Sequence, residues 1–575
     1  MAGRFVAAVA LCASLAWAKP HSAPRQTTDT TSVCAGNTAD DRSVWCDYSI
    51  DTNYYEEVPN TGVTREYWFE LQNGTAAPDG IERNVLTVNG SIPGPTIIAD
   101  WGDEVIVHVT NSLSANGSSV HFHGIRQNFT NPSDGVTSIT QCPTAPGDTV
   151  TYKWRATQYG SSWYHSHFAY QAYEGVFGGI IINGPATANY DYDLGNLFLL
   201  DWSHQTIDQL SIDSSKNGPP TMDNGLINGT NIYVDTDNNN ETVGARWEAT
   251  FEAGSSYRLR LVNSAVDSMF DFSIDNHTLE VISIDFVPIV PYTTDVISIG
   301  MGQRYDVIVT ADQSAIASDF WMRAYPDSFC SDNANPDDIK GIIHYGSSTA
   351  TPTTTGYTTG TSDCADQPAE SLVPYLSMSP ATSFDVTNDL DVSLSIVDDW
   401  IRWAIGETSF QVYWDNPTAL QVFNNVTAFN ETEVVIELPT ANEWTYLLIE
   451  NSNAVTHPIH LHGHDFYILG ADNSAYTSAD TATLNYSNPP RRDVAMLPPN
   501  GWLAIAFQAD NPGIWLMHCH IAWHTDQGFA LQWLERRSEI EALYDETSLR
   551  DSCASWDAWD AISGETQEGD DDDGI

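Results

Sequence analysis

Apolar residues along this chain come mostly in short runs of β-branched and aromatic side chains, cut off by Gly, Pro, Asn or Asp, with few stretches at the 3.6-residue period of a helix. The pattern predicts a mostly β protein. Three runs look alike: VIVHVTN at 105–111, YRLRLVN at 257–263 and YLLIEN at 446–451, each an alternating strand that ends in Asn. A second matching set follows later in each unit, where PGDTVTYKW leads to WYHSH (163–167), GQRYDVIVT to WMRAY (321–325) and GWLAIAF to WLMHCH (515–520). The same order of signals, met three times, predicts three homologous β domains. Punctuation sets them at 34–185, 186–346 and 369–563, with a linker at 347–368 built on the low-complexity run SSTATPTTTGYTTGTS.

The repeats differ in what they carry. HFHG (121–124) follows the first signal strand and HPIHLHGH (457–464) the third, whereas the middle repeat continues as SMFDFSID without a histidine. Together with WYHSH and HCHIAWH these motifs hold eleven of the sixteen histidines: His464 and the ten candidate ligands His121, His123, His165, His167, His457, His460, His462, His518, His520 and His524, with Cys519 among them. Successive side chains of a strand point to opposite faces, so His518 and His520 look one way and Cys519 the other. One segment can then serve two metal centres. Two such strands from each of two domains bring eight imidazoles to one interface, enough for three metals. A soft thiolate beside a histidine-only cluster points to copper more than zinc, because structural zinc sites are closed tetrahedra. His21, His108, His204, His277 and His344 lie outside this pattern and read as structural; His464 lies beside a ligand set that is already full.

At 575 residues the chain is too long for one ordinary domain. Residues 1–18 read as a signal peptide, with Arg4, an apolar run and an Ala16-Trp17-Ala18 cleavage pattern, and 19–33 as an N-terminal extension. No later apolar stretch reaches the length of a membrane span. Outside the signal and the metal motif six cysteines remain, Cys34, Cys46, Cys142, Cys330, Cys364 and Cys553, an even set suited to three disulfides in an oxidising compartment. Spacing leaves their connectivity open, although Cys330 and Cys364 flank the linker. Sequons at Asn73, Asn89, Asn116, Asn128, Asn228, Asn240, Asn276, Asn425, Asn430 and Asn485 fit a secreted, extracellular glycoprotein. With 22 basic and 76 acidic residues the net charge is -54, which argues against a nucleic-acid partner. The acidic tail at 564–575 reads as disordered.

The four motifs, in this order across three cupredoxin-like repeats, resemble those of the multicopper oxidases, and residues 34–560 as a whole resemble the fungal laccases of ascomycetes. The resemblance implies an all-β fold of three cupredoxin-like Greek-key β-sandwich domains and four copper ions. It implies a type 1 copper on His457, Cys519 and His524 and a type 2 copper on His121 and His460. A type 3 pair would take His123, His165 and His520 on one ion and His167, His462 and His518 on the other. It also implies the disulfides Cys34–Cys46, Cys142–Cys553 and Cys330–Cys364.

Other roles follow from the same likeness. Phe529, ten residues after Cys519, falls at the axial position of the type 1 site. It cannot donate to copper, which favours Cu(I); ascomycete laccases often have Leu there, and Phe resembles the high-potential basidiomycete enzymes. Asp267 matches an acid that takes the phenolic proton, Asp134 a carboxylate that assists proton delivery to the cluster, and Trp523 a wall of the donor pocket. The family's other acid in the last motif is absent, since Ala522 stands there. Instead of a DSGL-like processing site the chain reads DDGI, so Ile575 is expected to plug the channel to the cluster. The implied activity is that of a monomeric laccase taking phenols or aromatic amines and O2. Its alternatives are a ferroxidase, an ascorbate or bilirubin oxidase, and a non-catalytic copper-binding or pigment-assembly protein.

Overall fold

A computed structural model describes residues 34–236, 238–356, 360, 363–381 and 388–563; the signal segment, the acidic tail with Ile575 and part of the linker lie outside the described residues. Strands dominate, and they assemble into pairs of sheets. One pair has four strands in each sheet, and each of the two others combines a six-stranded with a five-stranded sheet. This is the mostly β structure expected from the alternation, and the cupredoxin-type architecture that the resemblance implies. Strand Glu104–Asn111 shows why the alternation works: Val105, Val107 and Val109 turn inward, while Glu104, Ile106, His108 and Thr110 face outward.

The repeat seen in the sequence is a repeat of topology. Glu104–Asn111 runs parallel to Thr64–Ala76 and antiparallel to Thr149–Arg155. Ser256–Asn263 lies in the same way between Tyr192–Trp202 and Arg304–Thr310, and Trp444–Asn451 between Asn388–Val397 and Gly501–Gln508. The Asn that closes each of these strands is buried and does the same work each time. Asn111 donates to the carbonyls of Asn116 and Thr144, Asn263 to those of Ser268 and Ile299, and Asn451 to those of Val455 and Pro498. Each also accepts an N–H two residues on, from Leu113, Ala265 and Asn453 respectively. An Asn side chain supplies both donors and an acceptor, so it pins the turn that feeds the next strand.

That next strand is the one that carries ligands in the outer repeats. His121–Phe122 pairs with Gly160–His165, placing His121 opposite His165. In the third unit His457–Leu461 pairs with Gly513–Cys519, placing His460 opposite His518. In the middle unit Phe272 faces Ala324, and the pair is filled with core residues.

Two apolar clusters hold the units together around this region. One joins Val136, Ile139 and Phe168 of the first unit to Phe410, Ile514, Leu516 and Leu534 of the third, and the other runs through the middle and third units. The C-terminal helix Glu546–Ser563 closes the first seam by burying Leu549, Cys553 and Trp556. The disulfides are Cys34–Cys46, Cys142–Cys553 and Cys330–Cys364, and the second ties the first unit to that helix across 411 residues of chain. Eight of the ten sequon asparagines are exposed, with Asn228 and Asn276 only partly so. No helix of the described residues is long and apolar enough to cross a membrane.

Long closed loops gain most from a cross-link. Replacing both Cys142 and Cys553 by Ala should therefore destabilise the protein by about 2–5 kcal/mol, measured as a lowered thermal midpoint. An unchanged midpoint would mean that the apolar seam alone holds the C-terminal helix.

Candidate metal centres

Two donor sets lie on either side of one strand end. Strand Gly513–Cys519 stops at Cys519, and after Ile521 the chain turns into the short helix Ala522–Asp526, so His524 arrives from a helix rather than from the strand. The Cys519 Sγ is 3.7 Å from Nδ1 of His457 and 3.6 Å from Nδ1 of His524, and the two nitrogens are 3.1 Å apart. All three groups are buried. Burial pushes the Cys519 thiol well up and His524 down to about 3.

On the other side lie the remaining eight histidines. Their ligand atoms group within 4.8 Å of one another as His121, His123 and His460, as His123, His165 and His520, and as His167, His462 and His518. Five of these rings are tied by Nδ1 to an oxygen outside the cluster. His121 and His460 bond the main-chain oxygens of Asp134 and Asp493, each at 2.8 Å. His165 and His518 bond the carbonyls of Ser166 and Cys519, again at 2.8 Å, and His462 bonds the Asp134 carboxylate at 2.9 Å. Their Nε2 atoms then turn inward, and those of His462 and His518 face each other at 3.4 Å. His123 is mounted the other way round, with Nε2 at 3.1 Å from Asp493 Oδ1.

These rings fit bound metal. Buried nitrogens without a hydrogen-bond partner include Nε2 of His121, His165 and His460, Nδ1 of His123 and both nitrogens of His520, and orphaned buried polar atoms are rare unless something fills their role. Burial and the neighbouring rings hold His123, His165, His167, His460, His462 and His520 well below the ordinary imidazole range, and His518 at about 4. Neutral imidazoles are the form that binds metal. A cavity of roughly 30 Å³ reaches His165, His167, His518 and His520 past Tyr170, Tyr173 and Asp526.

Other expected residues take these places. Phe529 is fully buried with its ring 4.9 Å from that of His457. Asp267 is partly buried on a loop whose N–H groups at Val266, Asp267 and Ser268 all donate to Asp201, and Ala522 N–H donates to Val266 O, docking the loop on the His524 helix. Burial, then Asp201, raises the Asp267 carboxyl well above the usual range. Asp134 is buried, and the Asp-Gly turn aims it at His462. The Trp523 ring, beside His524, is fully buried with its centroid 5.4 Å from that of Tyr170. His464 donates from Nδ1 to the His462 carbonyl and pairs with Glu535 at 3.1 Å; burial lowers it, but Glu535 prevails and raises it. Three groups gave no motif signal. Trp403 lies 4.6 Å from the His524 ring, Thr525 donates to the Cys519 carbonyl, and Asp493 buttresses two histidines.

Models of the multicopper oxidase family match residues 70–187, 193–348 and 404–539. Over 549 residues the chain is 50% identical to Laccase-2 of Botryotinia fuckeliana, covering 93% of each protein. The crystal structure of a laccase from Botrytis aclada is 48% identical with a TM-score of 0.88, over 94% of this chain and 100% of that one. Fet3p, a multicopper oxidase that functions in iron import, is 26% identical with a TM-score of 0.77, over 86% and 95%. The fold and donor sets thus define a copper-binding oxidoreductase of cupredoxin domains. The chain belongs to the multicopper oxidase family.

The two donor sets should answer differently to pH. Copper binding at Cys519 must displace a thiol proton, so affinity there should rise about tenfold per pH unit. His123, His165, His167, His460, His462, His518 and His520 are held below the ordinary imidazole range by burial, so the histidine cluster should bind copper with little pH dependence over the same range. Copper titrations in a chelator buffer at pH 5 and 7 test this; a cluster that weakens in step with the Cys519 set would contradict it.

Proposed function

We propose that this chain is a secreted laccase that oxidises phenols or aromatic amines one electron at a time and passes four electrons to dioxygen, giving water. The single observation that carries the reading is the back-to-back arrangement at Cys519: its Sγ completes a buried two-His, one-Cys set, while His518 and His520 on either side enter the histidine cluster. Adjacent Cα atoms are 3.8 Å apart, so a short covalent path joins the two sets. When bound, four coppers supply one-electron oxidation of the donor and reduction of dioxygen.

In this reading His457, Cys519 and His524 hold the type 1 ion, and His121 with His460 the type 2 ion. His123, His165 and His520 hold one ion of the type 3 pair; His167, His462 and His518 hold the other. Phe529 offers no donor atom beside His457 and keeps that side dry. Asp267, on the loop docked against the His524 helix, is the base for the phenolic proton, and its raised affinity for protons suits that role. Asp134 accepts from His462 and stands where a proton for the cluster can be held. The signal-like N-terminus and the disulfides support export.

Likeness to a protein of iron import motivates a second reading in which the donor is Fe(II). Oxygen uptake by the copper-loaded protein separates them: a substituted phenol should be oxidised faster than Fe(II) or ascorbate, and Cys519→Ser should abolish both turnover and the blue absorption. Faster turnover of Fe(II) would replace the substrate assignment, and retained turnover in the Ser variant would overturn the route through Cys519.

Asp267→Asn should lower kcat/KM for phenols by about 10²-fold or more and remove the limb that rises with pH as the carboxyl ionises. Ferrocyanide, which has no proton to give, should be oxidised at an unchanged rate. An equal loss on both donors would mean that Asp267 only shapes the pocket.

A further inference from the structure

The middle domain has no ligand-type residue at the motif positions, yet it sends one cation into the wall of the histidine cluster. Arg304 begins strand Arg304–Thr310 and is 1% exposed. Its Nη1 and Nη2 each donate, at 2.6 Å, to a different oxygen of Asp493 in the third domain, a bidentate pair that fixes the carboxylate in plane as well as in place. Asp493 touches the cluster twice. Its Oδ1 lies 3.1 Å from Nε2 of His123, a ring of the first domain, and its main-chain oxygen accepts from Nδ1 of His460. One contact therefore joins all three domains.

Asp134 does the corresponding work from the first domain, holding His462 by its carboxylate and His121 by its main chain. Among the described residues, however, no arginine or lysine forms an ion pair with Asp134, and its Oδ1 makes no hydrogen bond. The two buttresses differ in having, or lacking, a clamp. The clamped one is the one that serves His123, the ring that offers Nδ1 to the cluster where five neighbours offer Nε2. A flip of that ring would present the wrong nitrogen, and only an acceptor fixed behind Nε2 forbids it.

The surroundings leave the clamp no freedom. A Cβ on Gly124, beside His123, would stand 2.2 Å from Arg304 Nη2, and one on Gly302 would stand 2.7 Å from the His520 ring. Arg304 is held from behind, since its own N–H donates to Asp285 Oδ1 at 2.7 Å while Arg492 Nε donates to Asp285 Oδ2 at 2.8 Å.

We infer that Arg304 is a positioning residue of the copper cluster: by fixing Asp493 it sets the orientation of His123 and the seat of His460, so that the domain without ligands determines the geometry of the histidine-held coppers. The inference rests on the copper reading above. Its reach is specific, because the contact adjoins the cluster and not the Cys519 set.

Full-length, copper-loaded Arg304→Gln and Arg304→Lys proteins, compared with the parent by metal analysis, blue absorption and electron paramagnetic resonance, test it. Arg304→Gln should keep the blue band at parental intensity, lose about one copper per chain or more, and surrender its histidine-held copper to a chelator about 10–100-fold more readily. Its resonance from copper outside the Cys519 set should be altered. Arg304→Lys, which keeps the charge but not the two-point grip, should fall between. Parental copper content, chelator resistance and resonance in Arg304→Gln would overturn the inference. So would loss of the blue band in proportion to the rest, which marks general destabilisation. Should the Gln protein not fold, the Lys protein decides on the same readouts. A parent chain that takes up no copper overturns the copper reading itself, and the inference with it.

Discussion

Ten imidazoles and one thiol are closed off from water in this protein, and many of their nitrogens face one another instead of a hydrogen-bond partner. Each buried polar atom left without a partner costs about 1–3 kcal/mol, and rings packed face to face cannot relieve this by taking up protons, because burial has pushed their affinity for protons down. Metal cations can relieve it for the whole set at once. The fold is therefore selected to build and hold a shape that is unfavourable in their absence. Strand pairing sets His121 against His165 and His460 against His518, and carbonyls and carboxylates behind the rings choose which nitrogen points inward.

Holding such a shape requires that the three domains not slide. The division of labour among the repeats follows from that demand. All three keep the buried Asn that pins the turn into the ligand strand, yet only the outer two keep ligands. The middle repeat spends its equivalent strands on core packing and contributes contacts at its borders: Asp201 under the Asp267 loop, Gly302 against His520 and Arg304 on Asp493. The C-terminal helix and the Cys142–Cys553 bond close the opposite seam.

What the sequence made legible were the features with a local period. Alternation with period two exposed the strands and put each HxH pair on one face, and the ordered recurrence of signals exposed the repeat. The groups that act across the domains left no such trace. Arg304 and Asp493 are 189 positions apart, and Asp493 and His123 are 370 apart; GQRY and RRDV read alone as ordinary charged strand ends. Trp403 belongs to the strand Trp400–Ile405, WIRWAI, whose mixed apolar pattern gives no sign of which group its ring meets. Nor does strand alternation tell where the Trp523 ring faces, because the chain has by then turned into a helix, on which that ring lies 5.4 Å from Tyr170.

That same turn explains how the Cys519 set is kept apart from solvent and from the cluster. The main chain doubles back so that Cys519 N–H donates to Phe529 O and Phe529 N–H donates to His524 O, which fixes the Phe529 ring 4.9 Å from that of His457. Trp403 closes the set with its ring 4.9 Å from His457, 4.6 Å from His524 and stacked over Phe529. Both aromatic rings are apolar where they meet the set, so a copper ion held there would sit in a medium of low polarity, which would disfavour its more highly charged oxidation state. On the copper reading, Phe529 and Trp403 would act in the same direction, and that shared dry wall would set the driving force as much as the identity of residue 529.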